Sequence, residues 1–207
     1  MDYNSFKIPL KIGRVNLSTG RYKFFINDEN IHKQILASTA IPVIWSPVPI
    51  TEDGTTHQWV DGGVRNVTPL GDVLSFNPDL ILIMPTAPYD RGRPMRNGDK
   101  KDLVEVGLKA LDIMMDEIFF TDIDRFLDTN KLVKQIEKHG ETAKNRFGKT
   151  MKYFDYLVLD PTGGQGSALD FSKHSMEYRR DHANILFDTK YREQIQDKLS
   201  AAEPPIV

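Results

Sequence analysis

The sequence predicts an α/β fold, because segments with the periodicity of strands alternate along the chain with segments that have the periodicity of helices. Residues 7–15 and 21–26 carry alternating or continuous apolar side chains, as strands do. Residues 79–84, DLILIM, are apolar at consecutive positions, which is typical of a buried parallel strand. Residues 102–138 repeat apolar side chains every three or four positions, which is typical of helices.

Length and composition predict one compact domain over residues 1–207. The 27 basic and 29 acidic residues leave a formal charge of −2, which argues against a nucleic-acid partner. The chain has no cysteine, and therefore no disulfide, no thiolate zinc site and no cysteine nucleophile. No stretch approaches the roughly 20 apolar residues of a membrane span, and the N-terminus lacks the apolar core of a signal peptide. We therefore expect a soluble, cytoplasmic protein.

The N-terminal part is predicted to contain three strands, one short helix and a proline-rich segment. Gly20, in the turn NLSTG, is the residue that tolerates a left-handed conformation between the first two strands. Asp28 is a suitable cap for a helix over 29–38. Three prolines in AIPVIWSPVPI exclude a helix and favour an extended loop or an edge strand. A turn at 52–54 then leads into the third strand. The predicted strands are 7–15, 21–26 and 57–60.

The C-terminal part is predicted to be mostly helical. Asp122 and Asp124 are expected near a helix N-terminus, where acidic side chains complement the helix dipole. Residues 85–101 are rich in proline, glycine and charge, and we expect a mobile loop there. The predicted helices are 69–74, 102–120, 122–138, 174–183 and 188–199, and the predicted strands are 79–84 and 153–160.

Several motifs with a chemical meaning are better explained by structure. NRFGKT ends like a phosphate-binding loop, but Ala143 stands where that motif requires glycine. The glycines of PTGGQGSAL lack the dinucleotide-binding spacing, which favours a flexible loop. The five histidines show no HExxH spacing and predict no metal site. Trp59 is expected in the core, and Trp45, in the proline-rich segment, is expected to be partly exposed.

Asp61 is the strongest candidate for chemistry, because it stands where a strand should end and directly before Gly62 and Gly63. One interpretation is a turn, in which the carboxylate accepts backbone N–H bonds and the glycines adopt positive φ. The other is that Asp61 is a general base. From the three residues alone both interpretations stay open.

Five short motifs stand in a fixed order around Asp61, and two more follow. They are NLSTG at 16–20, LASTAIP at 36–42, WSPVPI at 45–50, VDGGVRNVTPL at 60–70 and DLILIM at 79–84, followed by LVLDPTGG at 157–164 and ALDFS at 168–172. This order resembles the C-terminal half of the patatin-like phospholipase (lipid acyl hydrolase) family. The resemblance implies a three-layer α/β/α fold, incomplete at its N-terminal side.

The resemblance also implies a function for the residues of the Asp-Gly-Gly element. Asp61 would be the general base that activates a serine directly, without a histidine between them. Gly62 and Gly63 would shape the turn that presents Asp61, and Asn66 would support the motif. The implied substrate is a phospholipid or another acyl-ester lipid, with association at a membrane surface. No metal and no organic cofactor are implied.

The nucleophile that the resemblance requires is missing from the printed sequence. None of the nine serines has glycine at both the second position before it and the second position after it, as a Gly-x-Ser-x-Gly elbow requires. We therefore expect a portion of a patatin-like hydrolase that is inactive alone and needs an N-terminal segment with the elbow. The alternatives are a non-catalytic lipid- or protein-binding module, with a homo-oligomer covering the sheet edge, and an unrelated α/β protein in which Asp61 is a turn residue.

Overall fold

The computed structural model describes residues 8, 10–26, 31–85, 102–161 and 172–202. Strands and helices are both present, which confirms the predicted α/β class. The chain divides into two compact units, one of Met1–Leu70 with Met95–Arg125, and one of Gly71–Pro94 with Phe126–Val207. The interpretation of residues 1–207 as one domain, and of the fold as three layers, stays a prediction. The predicted mobile loop, apart from Pro85, and the glycine-rich loop at 162–171 lie outside the described residues.

The first unit is built on a four-stranded antiparallel sheet with the strand order β2-β1-β4-β3. The predicted strands are confirmed, with the proline-rich segment ending in β3 at one edge of the sheet. Proline is tolerated at an edge because no neighbouring strand requires its missing N–H. The strands are β1 Lys11–Asn16, β2 Tyr22–Ile26, β3 Val48–Glu52 and β4 Thr55–Asp61.

Two tight turns connect the strands of this sheet. Gly20 closes the β1–β2 turn at a φ of 65°, as its position in NLSTG predicts. Asp53 and Gly54 close the β3–β4 hairpin at φ values of 49° and 76°. Positive φ at both central residues is typical of the turn that matches the twist of paired strands.

One helix, α1 (Ile31–Ser38), packs on this sheet. Its buried side chains are spaced three residues apart, as expected for a helix with one face on a sheet. Ala37 forms a buried cluster with Ile50 of β3 and Trp59 of β4, against which Val48 packs. The expectation that Trp59 lies in the core is confirmed. The buried residues of α1 are Ile31, Gln34 and Ala37.

The two helices predicted at 102–120 and 122–138 are a single helix, α3 (Leu103–Lys138), and the prediction of a break was wrong. The chain contains neither proline nor glycine around Thr121, and the Thr121 hydroxyl bonds the carboxylate of Glu117 on the preceding turn. Buried Phe119, Phe120 and Ile123 continue the apolar stripe across this point. Asp122 and Asp124 therefore lie in the middle of a helix and not at its N-terminus.

The second unit contains a parallel pair of strands, β5 (Leu80–Ile83) and β6 (Asp155–Val158), and several helices. Leu82 is exposed between buried Ile81 and Ile83, so the expectation that consecutive side chains of DLILIM are all buried was wrong. A two-stranded sheet covered on one face buries alternate side chains. The helices are α2 Leu70–Leu74, which spans both units, α4 Lys173–Leu186 and α5 Arg192–Ala202, with a π-helical turn, Phe187–Tyr191, between the last two.

Candidate functional site

Asp61 is the last residue of β4, as the strand pattern of HQWVD predicts. Its backbone N–H donates a hydrogen bond to the carbonyl of Ala40, with 3.0 Å between nitrogen and oxygen. Its neighbour across the sheet is Arg14 of β1. The backbone of Asp61 is therefore fixed from two sides, by the adjacent strand and by the residues that follow α1.

The Asp-Gly-Gly element forms a short 3₁₀ helix, Gly62–Val64, which Asp61 caps. Asp61 Oδ1 accepts a hydrogen bond of 2.7 Å from the Gly63 N–H. The Gly62 carbonyl accepts the N–H groups of Arg65 and Asn66, at 3.0 and 2.9 Å. Neither Gly62 nor Gly63 has positive φ, so that part of the turn interpretation was wrong. The carboxylate is nevertheless held by a backbone N–H, as the same interpretation expected.

Glycine is required at Gly62 by close approach of two backbones. A Cβ at this position would lie 2.7 Å from both the carbonyl carbon and the carbonyl oxygen of Gly13 in β1. At Gly63, a Cβ would lie 3.1 Å from Asp61 Oδ1 and 3.0 Å from Cε of Met115 in α3. A side chain at Gly62 would therefore push the element away from β1, and one at Gly63 would crowd the carboxylate.

Gly62→Ala is expected to lower the free energy of unfolding by about 1–3 kcal/mol, because backbone atoms of Gly13 cannot move aside as a side chain can. Urea denaturation followed by tryptophan fluorescence measures this change. Gly107→Ala is the matched control: Gly107 lies within α3, a Cβ there meets nothing within 4 Å, and alanine favours a helix by roughly 1 kcal/mol. A Gly62→Ala protein as stable as wild type would contradict the close approach.

The carboxyl group of Asp61 is half-buried, and its pKa is raised above the ordinary value because burial disfavours the charged form. The hydrogen bond from the Gly63 N–H acts in the opposite direction and lowers the pKa, but burial has the larger effect. A carboxylate with a raised pKa is a stronger base than an exposed one. This is the property that a general base requires.

The raised pKa of Asp61 also makes stability depend on pH. The folded protein holds the proton of Asp61 more tightly than the unfolded chain does. The contribution of Asp61 to the free energy of unfolding is therefore complete below the unfolded pKa of about 3.9. It is lost as the pH rises through the folded pKa. Asp61→Asn removes this loss and keeps an oxygen that accepts from Gly63. We expect the variant to gain stability relative to wild type between acidic and neutral pH, measured by urea denaturation. If the difference in free energy of unfolding between the variant and wild type stayed constant over this pH range, the burial of Asp61 would be contradicted.

Asn66 lies half-buried where the Asp-Gly-Gly element ends. Its backbone N–H closes the element by donating to Gly62, as described above. Its neighbour Arg65 donates from Nη1 to the carbonyl of Gly20 at 2.6 Å, which connects the element to the β1–β2 turn. The structure therefore brings NLSTG and DGGVRN together, two of the motifs in the predicted order. The supporting role of Asn66 stays a prediction.

A second carboxylate, Asp122, lies against the loop that follows the Asp-Gly-Gly element, a contact that the sequence prediction of a helix N-terminus did not include. Burial raises the pKa of Asp122 above its ordinary value, and the hydrogen bond that its carboxylate accepts from the Thr68 N–H lowers the pKa by less. Its Oδ2 is buried and has no hydrogen-bond partner among the described residues. Its spacing from Phe119 and Phe126 along the apolar stripe is the sequence signal that could have indicated partial burial.

Arg14 is the other residue that sequence reasoning missed. Its side chain is fully buried, with the guanidinium carbon 3.6 Å from the ring centre of Phe25 and 3.7 Å from that of Trp59. Its Nη2 pairs with Oε1 of Glu52 in β3. The signal available in the sequence was a charged residue within the strand KIGRVN.

No group of three or more histidine, aspartate or glutamate side chains that could hold a metal ion occurs in the parts of the chain that the structure describes. Across the same ranges, no helix combines the length and the apolar character needed to cross a membrane.

Residues 3–74 match the family model of the patatin-like phospholipases. The matched range contains Asp61, Gly62, Gly63 and Asn66, and it confirms the resemblance predicted from the order of the motifs. No curated protein matches the sequence.

Proposed function

We propose, from the match of residues 3–74 to the patatin-like phospholipases, that the chain carries the general base of a Ser-Asp dyad that hydrolyses lipid acyl esters. The observation that supports this most directly is the environment of Asp61. Its carboxylate is presented at the end of β4, half-buried, with a raised pKa, directly before Gly62, which lets two backbones approach closely.

The two carboxylate oxygens of Asp61 would have different tasks. Oδ1 accepts the Gly63 N–H and keeps the side chain in one orientation. Oδ2 would accept the proton of the serine hydroxyl as the serine oxygen attacks the ester carbonyl. The proton would then pass from Asp61 to the leaving alcohol, and water would hydrolyse the acyl-serine in the same way. Phospholipids and related glycerolipid esters are the substrate class that the family match supports.

The nucleophile belongs to a Gly-x-Ser-x-Gly elbow, and none of the nine serines stands in such a sequence. Asp61 therefore has no elbow serine to activate in the printed chain. We propose that the chain alone does not hydrolyse esters and that it becomes active when it assembles with a segment that carries the elbow and its oxyanion loop.

Complementation tests this proposal. The chain is co-expressed with, or fused behind, the elbow-bearing N-terminal segment of a patatin-like hydrolase, and assembly is established by co-purification. Hydrolysis of a short-chain p-nitrophenyl ester and of phospholipid vesicles is measured for the assembly and for each part. The expected result is turnover by the assembly alone, with labelling of the elbow serine by a fluorophosphonate.

Two outcomes would overturn the proposal. One is ester hydrolysis by the chain alone, with or without Asp61→Ala, because the proposal holds that the chain lacks the nucleophile. The other is a co-purifying assembly whose serine stays unlabelled and which turns over no ester. That second result would favour the non-catalytic binding module.

A further inference from the structure

An uncharged segment connects α1 to β3, and it exposes large apolar side chains. Residues 41–50, IPVIWSPVPI, contain no charged residue. Val43 is 64% exposed and Trp45 is 54% exposed, and we call these two residues the apolar tip. Ile35 and Leu36, in the last turn of α1, are exposed as well. The other tryptophan, Trp59, is 3% exposed in the core, so the two tryptophans of the chain have opposite environments.

The backbone around the apolar tip is ordered by its own hydrogen bonds. The Ile41 carbonyl accepts the N–H groups of Ile44 and Trp45, at 3.2 and 3.0 Å, and the Ile41 N–H donates to Thr39. Three further residues of the segment are prolines, which have no N–H to satisfy. Few backbone donors therefore require water, which lowers the cost of placing the tip in an apolar medium.

Val43 has a φ of 74°, a left-handed conformation that is uncommon for any residue with a side chain and especially so for a β-branched one. Glycine or asparagine would fit this conformation with less strain. The chain instead holds an exposed valine there. Strain combined with exposure at one position indicates that the side chain has a use outside the folded unit.

A backbone hydrogen bond connects the start of the segment that carries the apolar tip to the candidate base. Ala40, which precedes the segment directly, accepts the N–H of Asp61 through its carbonyl. Ala40 therefore holds the backbone of Asp61, and the residues that lead to the tip follow Ala40 directly. A surface that contacts the tip would lie close to the site.

We propose that Val43 and Trp45 dock the protein on the surface of a neutral, zwitterionic phospholipid bilayer. This inference rests on the proposed function, because a bilayer is the source of the ester on which Asp61 would act. Tryptophan suits a bilayer interface, where its ring is buried and its N–H stays near water. The nearest charged residues along the chain are Lys33 and Glu52, so the tip offers no cluster of cations for acidic headgroups.

Vesicle co-sedimentation of the full chain with phosphatidylcholine vesicles tests the docking. Val43→Gly relieves the positive φ and is expected to fold at least as well as wild type, while it removes the apolar side chain. Both Val43→Gly and Trp45→Ser are expected to lower vesicle affinity about tenfold. Phe147→Ser is the control, because Phe147 is 77% exposed, lies in the second unit and is expected to contribute nothing.

Fluorescence gives an independent measurement. In a Trp59→Phe background Trp45 is the only tryptophan, and its emission is expected to shift to shorter wavelength with vesicles and to be quenched by brominated acyl chains. Unchanged emission, or wild-type affinity in both tip variants, would overturn the docking. A concentration-dependent shift without vesicles would also overturn it, because the tip would then contact a second copy.

The failure of this inference is distinguishable from the failure of the proposed function. Vesicle binding is measured without the elbow segment and requires no hydrolysis. Conversely, hydrolysis of a water-soluble short-chain ester by the complemented assembly requires no bilayer. If the chain binds vesicles but the assembly hydrolyses no ester, the docking role of the tip is supported and the Ser-Asp dyad is rejected. An active assembly without docking would give the opposite result.

Discussion

Asp61→Asn is expected to lower hydrolysis of a soluble p-nitrophenyl ester by the complemented assembly about 10²–10⁴-fold. The amide keeps an oxygen for the Gly63 N–H but cannot take a proton from serine. Binding of the ester should change little, so kcat carries the loss and KM stays close to that of wild type. Initial rates over a range of ester concentrations separate the two parameters.

Two controls make this result specific. Asp53→Asn changes another aspartate of the same sheet, in the exposed β3–β4 turn, where asparagine tolerates the positive φ. We expect that variant to keep the wild-type rate. Asp61→Asn is also expected to be more stable than wild type at neutral pH, so unfolding would not explain its loss of activity. An Asp61→Asn assembly with wild-type kcat would show that Asp61 is a turn residue.

The same substitution should therefore stabilise the fold and abolish the chemistry. A half-buried carboxylate costs free energy when it is ionised, and the hydrogen bond from Gly63 offsets this cost in part. Active sites commonly retain groups of this kind because the reaction requires them.

Local patterns predicted the elements around Asp61 because neighbouring residues determine them. The strand before Asp61, the turn at Gly20 and the proline-rich edge all depend on residues within a few positions of one another, and all three are confirmed. The order of the motifs predicted a resemblance to the patatin-like phospholipases, and the match over residues 3–74 confirms the resemblance for that range.

Contacts between distant residues could not be predicted in this way. The need for glycine at Gly62 comes from Gly13, which is far away along the chain and adjacent across the β1–β4 interface. A local argument supplied positive φ as the reason for the glycine, and that reason was wrong. Asp122 was misplaced for a similar reason: two acids after an apolar stretch resemble a helix start, whereas the apolar stripe continues through them.

Arg14 is the clearest case of a residue whose importance depends on distant partners, and its replacement should have a large effect on stability. It lies on β1, its guanidinium contacts the rings of Phe25 in β2 and Trp59 in β4, and it pairs with Glu52 of β3. One side chain of β1 therefore contacts each of the other three strands of the sheet. Cation–π contacts contribute about 2 kcal/mol when they are desolvated, as Arg14 is.

Arg14→Ala is expected to lower the free energy of unfolding by about 3–5 kcal/mol, because the two aromatic rings and the Glu52 carboxylate all lose their buried cationic partner. Lys23→Ala is the matched control. Lys23 pairs with the same glutamate at 3.0 Å but is mostly exposed, and exposed pairs contribute roughly 0–1 kcal/mol. Urea denaturation followed by Trp59 fluorescence, in a Trp45→Phe background, reports on this sheet directly.

The double variant Arg14→Met with Glu52→Gln separates the charge of the cluster from its packing. If Arg14→Ala destabilises the protein because Glu52 is left unpaired and a cavity forms, replacing both partners by uncharged groups of similar volume should recover most of the stability. If the stacking of the guanidinium is decisive, the double variant should stay destabilised. If the Arg14→Ala protein were as stable to urea as the Lys23→Ala protein, both explanations would be contradicted.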